Sequence, residues 1–477
     1  MQQQTISKPR DLAPGPDQDW RHAFQDLPRE HGFERLRVEG RIPEDLVGTL
    51  YRNGPALFEL FGRRYGHWFD GDGAVSAVRF GPHGVEGAIQ LVQSAELQEE
   101  RRAGRPLYSV YGTPMPGNFL RRALPKGKNA ANTSVFIWQD RLFALYEADK
   151  PTELAPEDLS TLGTTDLDGV VPHSFSAHPH RVPERRATYN FGVRYGRTTE
   201  LDLFELTDQG GARRLATLPL GRATMIHDFM ATPRHLIFFA PPIQMQTMRY
   251  LLGQATVSES LEWQPSLGTE VLIVPIDRPQ EVTRFVVDPF FQWHFANAFE
   301  RDEEIVVDLV RYPDFASNRW LGEAPTGHPT GELNGTFQRA VISGRTVRFE
   351  QIAEAPCEFP RIAPSHEGQS YRYAYVHSQL DGDQGGLFRG LSRVDVESGR
   401  STTVALGVSQ YPSEPIFVPR PSAATEDDGY LLTLVYDAVE HQSHVAVLDA
   451  QDLERGPLAR AWFDHHIPFT FHGVWAS

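Results

Sequence analysis

From about Gly48 to the C-terminus the chain is a succession of short apolar-rich runs separated by Gly, Pro, Asn and Asp. Clear examples are Ala74–Phe80, Ser134–Trp138, Arg141–Tyr146, His235–Ala240, Glu270–Pro275 and Glu304–Val310, and later Tyr371–His377, Glu414–Val418, Gly429–Tyr436 and Ser443–Leu448. Several sit as neighbours across a two-residue turn, as Val135–Trp138 and Arg141–Leu145 do across Gln139-Asp140. That spacing predicts β-hairpins. Helical periodicity is confined to Trp20–Phe24, Asn118–Leu124 and Met245–Leu252.

Strands therefore dominate, with no regular β–α alternation, which argues against a parallel α/β sheet and for an all-β protein. Roughly two dozen short antiparallel strands must dispose of their edges, and radial repetition of four-stranded blades, a β-propeller, does so where a sandwich would be oversized. No Trp-Asp or kelch repeat marks the blades. Residues 1–18, rich in proline and polar residues, are expected to be a flexible tail. No linker interrupts the strands that follow, so 19–477 is expected to be one domain.

Composition narrows the function. The 477 residues are 40% hydrophobic and 23% charged, ordinary for a globular protein, and the net charge of −16 disfavours nucleic acid. Cys357 is the only cysteine, so neither an internal disulfide nor a thiolate metal cluster can form. The N-terminus has no apolar signal-peptide core, and no run of about 18 apolar residues could span a bilayer. A cytoplasmic location is expected, with any membrane contact peripheral.

Of the 18 histidines, four have unusual settings. His178 precedes a proline in Phe-Ser-Ala-His-Pro-His. His227 lies in Met-Ile-His-Asp-Phe, His294 in Gln-Trp-His-Phe-Ala, and His472 in Phe-Thr-Phe-His-Gly-Val-Trp. Apolar flanks suit either a satisfied core histidine or a metal ligand shielded from water. The intervals, 227 − 178 = 49, 294 − 227 = 67 and 472 − 294 = 178, exclude any local metal motif, so such ligands would have to converge in a closed architecture. Imidazoles would take iron, zinc, copper or nickel in preference to magnesium or calcium. Glu147, Glu358 and Glu414 lie at strand ends and read either as surface carboxylates or as anchors for the second ring nitrogen of metal-bound histidines.

In this order, the segments resemble the carotenoid cleavage oxygenase family from about Val38 to Ser477. The resemblance rests on Gly-Thr-Leu-Tyr-Arg-Asn-Gly-Pro at 48–55, Phe-Asp-Gly-Asp-Gly at 69–73, Ala-Asn-Thr at 131–133, the four histidine contexts, Glu-Asp-Asp-Gly at 426–429 and His-His-Ile-Pro at 465–468. Alone, Asp70-Gly71-Asp72-Gly73 would read as a tight turn. The bacterial apocarotenoid-cleaving oxygenases are the nearest match. The resemblance implies a seven-bladed propeller under a helical dome, with Fe(II) on the axis held by His178, His227, His294 and His472. It also implies that Glu147, Glu358 and Glu414 orient His227, His294 and His472 respectively, with no carboxylate for His178.

The family splits a carbon–carbon double bond with O₂ into two carbonyls, so the resemblance implies cleavage of an apocarotenoid with retinal as one product. Phe69, Tyr146, Trp293 and Phe471 are the candidate tunnel lining. Tyr146 stands where the stilbene-cleaving branch has a lysine, which disfavours that alternative. Segments 115–124 and 243–252 mix apolar residues with arginines and could rest on a membrane surface. Two readings from other classes are a metal-dependent propeller hydrolase or lactonase and a non-catalytic propeller binding platform.

Overall fold

A computed structural model describes residues 19–196, 198–383 and 386–477; the expected tail, 1–18, lies outside the described residues. Nearly every strand is antiparallel to its neighbours. The predicted hairpin is present, with Trp138 opposite Arg141 and both turn residues, Gln139 and Asp140, at positive φ of 54° and 56°. Positive φ at both central residues is the turn that matches the strands' right-handed twist.

The strand His235–Ala240 shows how the sheets stack. Leu236, Phe238 and Ala240 pack against Leu201, Leu203 and Phe191 of the preceding sheet. Ile237 and Phe239 point the other way, onto Ile305, Val307 and Leu309 of the next sheet. A strand buried on both faces needs no polar alternation, which is why this run reads as continuously apolar. Comparable cores join the other neighbouring sheets, and the last sheet, through Leu432 and Val447, shares a core with the first, through Leu50 and Val78. The sheets thus form a closed cycle. The strand Thr346–Ile362 serves two neighbours in it: its first part pairs with Thr336–Ser343 and its last part, from Cys357, with Tyr373–Ser378.

The final strand, Gly473–Ala476, pairs with Gly48–Leu57 and so ties the C-terminus to the first sheet. Phe469 and Phe471 are buried, whereas Trp475 is only half-buried, its ring 5.9 Å from that of Phe80. Buried Arg52 clamps the approach to this strand, donating to Thr470 Oγ1 at 3.0 Å and Phe471 O at 3.0 Å.

Helices are few and short, and two are shorter than the periodicity predicts. Asn118–Leu124 is helical only over Phe119–Arg122, because Leu124 turns left-handed (φ 52°) and its N–H goes to Leu251 O. Met245 ends a strand, Ile243–Met245, paired with Leu261–Trp263, so the next helix is only Thr247–Leu251. Longer helices are Ala95–Ala103, capped by Ser94 and ended at Gly104 (φ 63°), and Ala316–Glu323. The latter joins the 3₁₀ turn Asp19–Phe24 in an aromatic cluster that includes Trp20, Phe24, Trp68 and Trp320 and extends to Phe469 and Phe471.

The Asp70/Asp72 turn is not a cation loop. Asp70 accepts from Gly112 N and Thr113 Oγ1, at 2.7 and 2.6 Å, while Asp72 meets the buried Lys128 ammonium at 2.7 Å.

Two outcomes follow from this architecture. Deleting residues 471–477 removes a ladder strand and a buried aromatic, so the melting temperature should fall by several degrees, as differential scanning fluorimetry would show. The second concerns acid. His444 is fully buried against Trp462 with neither ring nitrogen hydrogen-bonded, and burial, then Arg460 and Arg37, holds its pKa well below the ordinary value. Burial also pushes His67 down to about 4. The unfolded chain, with histidines near 6.5, binds more protons as pH falls, so stability is full above about pH 6.5 and declines toward pH 4. The melting temperature should therefore drop between pH 6.5 and 4.5, and His444→Phe should flatten part of that slope.

Candidate metal centre

Three of the singled-out histidines lie at or just before the strand that opens a sheet. His178 precedes His180–Val182, His227 precedes Met230–Ala231, and His294 is within Phe291–Arg301. His472 directly precedes the closing strand, Gly473–Ala476. The ladder shifts register across His294, between Gln292 and Phe295, and again between Phe295 and Asn297. Such bulges re-aim a side chain out of the pleat.

The four rings converge. Ligand nitrogens of His178, His227 and His294 lie within 4.8 Å of one another. Nε2 of His227 is 3.1 Å from Nε2 of His178 and 3.3 Å from Nε2 of His294. The His472 ring centroid is 4.7 Å from those of both His178 and His294.

The sequence-selected carboxylates hold the outer nitrogens. Nδ1 of His227 contacts Glu147, Nδ1 of His294 donates to Glu358 Oε2 at 2.6 Å, and Nδ1 of His472 donates to Glu414 Oε1 at 2.8 Å. His178 has no carboxylate partner among the described residues. A ring that donates through Nδ1 has its Nε2 lone pair free, and those lone pairs face inward. The inward lone pairs of His227 and His294, 3.3 Å apart, repel unless a cation lies between them. Adjacent imidazoles on one ion, at metal–nitrogen distances of about 2.0–2.1 Å, would be roughly 3 Å apart, so the residues present fit a metal.

Electrostatics follow the same division. Burial, then His227, His472 and His294, holds His178 well below the usual histidine range. Burial pushes His472 down to about 4, against the pull of Glu414. At His227 burial also opposes the charged form, but Glu147, joined by Asp228 and Glu358, outweighs it and the net shift is upward. Burial alone would raise Glu358 and Glu414; His294 reverses this for the first, and Arg361, His472 and Arg52 for the second. Both remain anionic.

The sequence reading missed the groups that make these anions tolerable. Tyr312 donates to Glu358 Oε1 at 2.7 Å. Arg361 Nε donates to Glu414 Oε1 at 2.7 Å, and Arg52 to Oε2 at 3.2 Å. Arg52 had a visible signal, the single charge in the strand Gly48–Leu57; Tyr312 and Arg361 had none. Also missed was Asp228, next to His227, which accepts from Phe229 N and Phe295 N and so joins the His227 loop to the His294 strand. Phe359, at a strained φ of 53°, places its ring 5.1 Å from that of His294.

The cluster opens into a cavity of about 530 Å³. All four predicted lining residues, Phe69, Tyr146, Trp293 and Phe471, border it. Phe69 packs edge-on against Trp293 (5.7 Å) and Phe471 (5.5 Å), and Trp293 stands 4.9 Å from the His227 ring. Burial raises the Tyr146 pKa, so its hydroxyl keeps its proton.

The profile of one protein family, described as RPE65, retinal pigment epithelial membrane protein, matches residues 24–477. An apocarotenoid-15,15'-oxygenase of Synechocystis sp. is 35% identical over 473 residues, covering 96% of each chain. A carotenoid cleavage oxygenase of Mycobacterium tuberculosis is 27% identical over 92% of this chain and 94% of its own length. An isoeugenol monooxygenase of Pseudomonas nitroreducens is 28% identical over the same shares. The crystal structure of cobalt-substituted Synechocystis ACO superposes with a TM-score of 0.89 at 35% identity, over 96% of this chain and 98% of that one. Oxygenase relatives along the whole length displace the hydrolase and binding-platform readings. The chain belongs to the RPE65 family of carotenoid cleavage oxygenases and is an oxidoreductase of the dioxygenase class.

Proposed function

We propose that this enzyme is an Fe(II)-dependent dioxygenase that cleaves a carbon–carbon double bond of an apocarotenoid into two carbonyl products, one of them retinal. The observation that carries the reading is a buried imidazole cluster opening directly onto an apolar, aromatic-walled cavity. His178, His227, His294 and His472 would hold the iron, and Glu147, Glu358 and Glu414 would keep three of the rings in the Nδ1–H form. The iron would supply O₂ binding and activation. The protein's own contribution is positional and electrostatic. Phe69, Trp293 and Phe471 exclude water and confine a flat polyene, and their ring faces stabilise positive charge developing along it. Tyr146 can donate to a polar substituent but offers no ammonium, which favours an apocarotenoid over a hydroxystilbene. The isoeugenol monooxygenase relative keeps phenolic alkenes as the second reading.

Seven sheets would make the propeller, the strand Thr346–Ile362 belonging to two of them, and residues 19–477 would form one domain. The turns and helices that carry Trp20, Trp68 and Trp320 are the proposed dome over the metal-bearing face.

Purified protein should hold one iron per chain by elemental analysis, and His227→Ala or His294→Ala should lose most of it. Apocarotenals incubated under air should yield two carbonyl products, with no turnover without O₂. Stoichiometric zinc in active enzyme would reject the iron assignment, and turnover of isoeugenol or hydroxystilbenes alone would select the second reading.

We also propose peripheral membrane contact through 115–124 and 243–252. The two segments meet, Leu124 N donating to Leu251 O at 2.8 Å. Leu124 (76%), Met248 (65%) and Leu252 (45%) are exposed beside the exposed Arg121 and Arg249, while Tyr250 and Leu251 border the cavity. No helix among the described residues is long and apolar enough to cross a membrane. Vesicles containing anionic lipid should carry the enzyme upward in a flotation gradient, and Leu124→Glu with Met248→Glu should abolish this without changing the melting temperature.

A further inference from the structure

His377 lies in the strand Tyr373–Ser378, in register opposite Glu358. A short series of rings leads to it from the metal centre. The Phe359 ring is 5.1 Å from that of His294, and the His377 ring lies 6.4 Å beyond Phe359, nearly parallel to it at 16°. His377 is 94% buried, yet it borders the cavity, among Phe359, Leu387 and Phe388.

The hydrogen bonding of this ring fixes its tautomer. Nε2 is 2.8 Å from the backbone oxygen of Phe388. A carbonyl has no proton to give, so Nε2 carries the hydrogen and donates it. Burial lowers the pKa to about 4, so the ring is neutral at physiological pH and Nδ1 presents only a lone pair. Nothing hydrogen-bonds to Nδ1, and it is not among the sealed, unpartnered atoms of the interior, so it meets the cavity. A bare acceptor in an apolar wall favours a ligand that brings a donor there. An aldehyde or ketone cannot, since its oxygen would face the lone pair. A hydroxyl can.

We propose that His377 is a specificity residue whose Nδ1 accepts a hydrogen bond from a hydroxyl at one end of the substrate, selecting hydroxylated apocarotenoids over their counterparts lacking that group. The inference takes its substrate class from the cleavage reading above, but the recognition step is independent of cleavage. It also orients the substrate, with the hydroxylated end beside Phe388 and the carbonyl-bearing end on the opposite side of the histidine cluster.

The test uses the metal-loaded enzyme and two probes, an apocarotenal with a ring hydroxyl and the same apocarotenal without it. Dissociation constants come from quenching of tryptophan fluorescence, since Trp68 and Trp293 line the cavity, and kcat/KM is measured in parallel. The wild type should bind the hydroxylated probe about fivefold to tenfold more tightly, the range expected for one neutral hydrogen bond. His377→Phe keeps an aromatic ring but no acceptor, and should bring the ratio of the two dissociation constants to about one. His377→Gln, which can donate to Phe388 O or accept through its amide oxygen, should restore part of the ratio.

A ratio that is the same in the wild type and His377→Phe overturns the proposal. So does an affinity loss shared equally by both probes, because that is the signature of packing alone. A ratio that responds as expected while neither probe is cleaved upholds the recognition role and rejects the cleavage reading instead.

Discussion

Everything at the centre of this protein depends on imidazoles from separate sheets being brought together, with ligand nitrogens of His178, His227 and His294 within 4.8 Å of one another and the His472 ring beside them. Such an arrangement is self-repelling, and a lone imidazole in a pocket would rotate or take up a proton. Here three rings are held from behind, through Nδ1, by Glu147, Glu358 and Glu414. Buried carboxylates are themselves costly, so the requirement propagates outward. Glu414 is matched by Arg361 and Arg52, and it also accepts from Gly473 N at 2.8 Å. Glu358 is matched by Tyr312 and Phe359 N. The imidazole cluster is thus the innermost part of a polar network that reaches into several sheets.

That network also explains why the C-terminus is ordered. Chain ends ordinarily fray. Here Arg52 grips Thr470 and Phe471, Glu414 grips His472 and Gly473, and Asn53 exchanges backbone hydrogen bonds with Phe471 and His472. The same contacts that tie the last strand to the first sheet also hold His472 beside the other three rings. Phe359 shows the local cost: a non-glycine residue at φ 53° allows Glu358 and the next side chain both to face the site from a single strand.

The cavity continues the division of labour. Its wall is rich in aromatic residues, suited to a flat apolar substrate, and two of its polar groups are fixed in protonation state. Tyr146 keeps its proton, and His377 keeps its hydrogen on Nε2. Sparse polar groups of this kind decide orientation and selectivity in a pocket whose affinity comes from apolar contact.

Much of this was legible along the chain. The runs His235–Ala240 and Ser134–Trp138 recur unchanged as strands, because a segment buried on both faces or paired across a tight turn carries its pattern locally. His227, His294 and His472 stood out by their apolar flanks and His178 by the proline after it, although choosing them from 18 required the ordered family resemblance. Short helices were read too long, since Leu124 and Met245 answer to partners far away in sequence, Leu251 and Leu261. Convergence of residues separated by 49, 67 and 178 positions, and the roles of Tyr312, Arg361 and His377, belong to the tertiary structure alone. Period and polarity are properties of neighbouring residues. A lone pair's direction, the counter-charge that lets a carboxylate be buried, and which ring nitrogen carries a proton are set by groups that only the closed fold brings together.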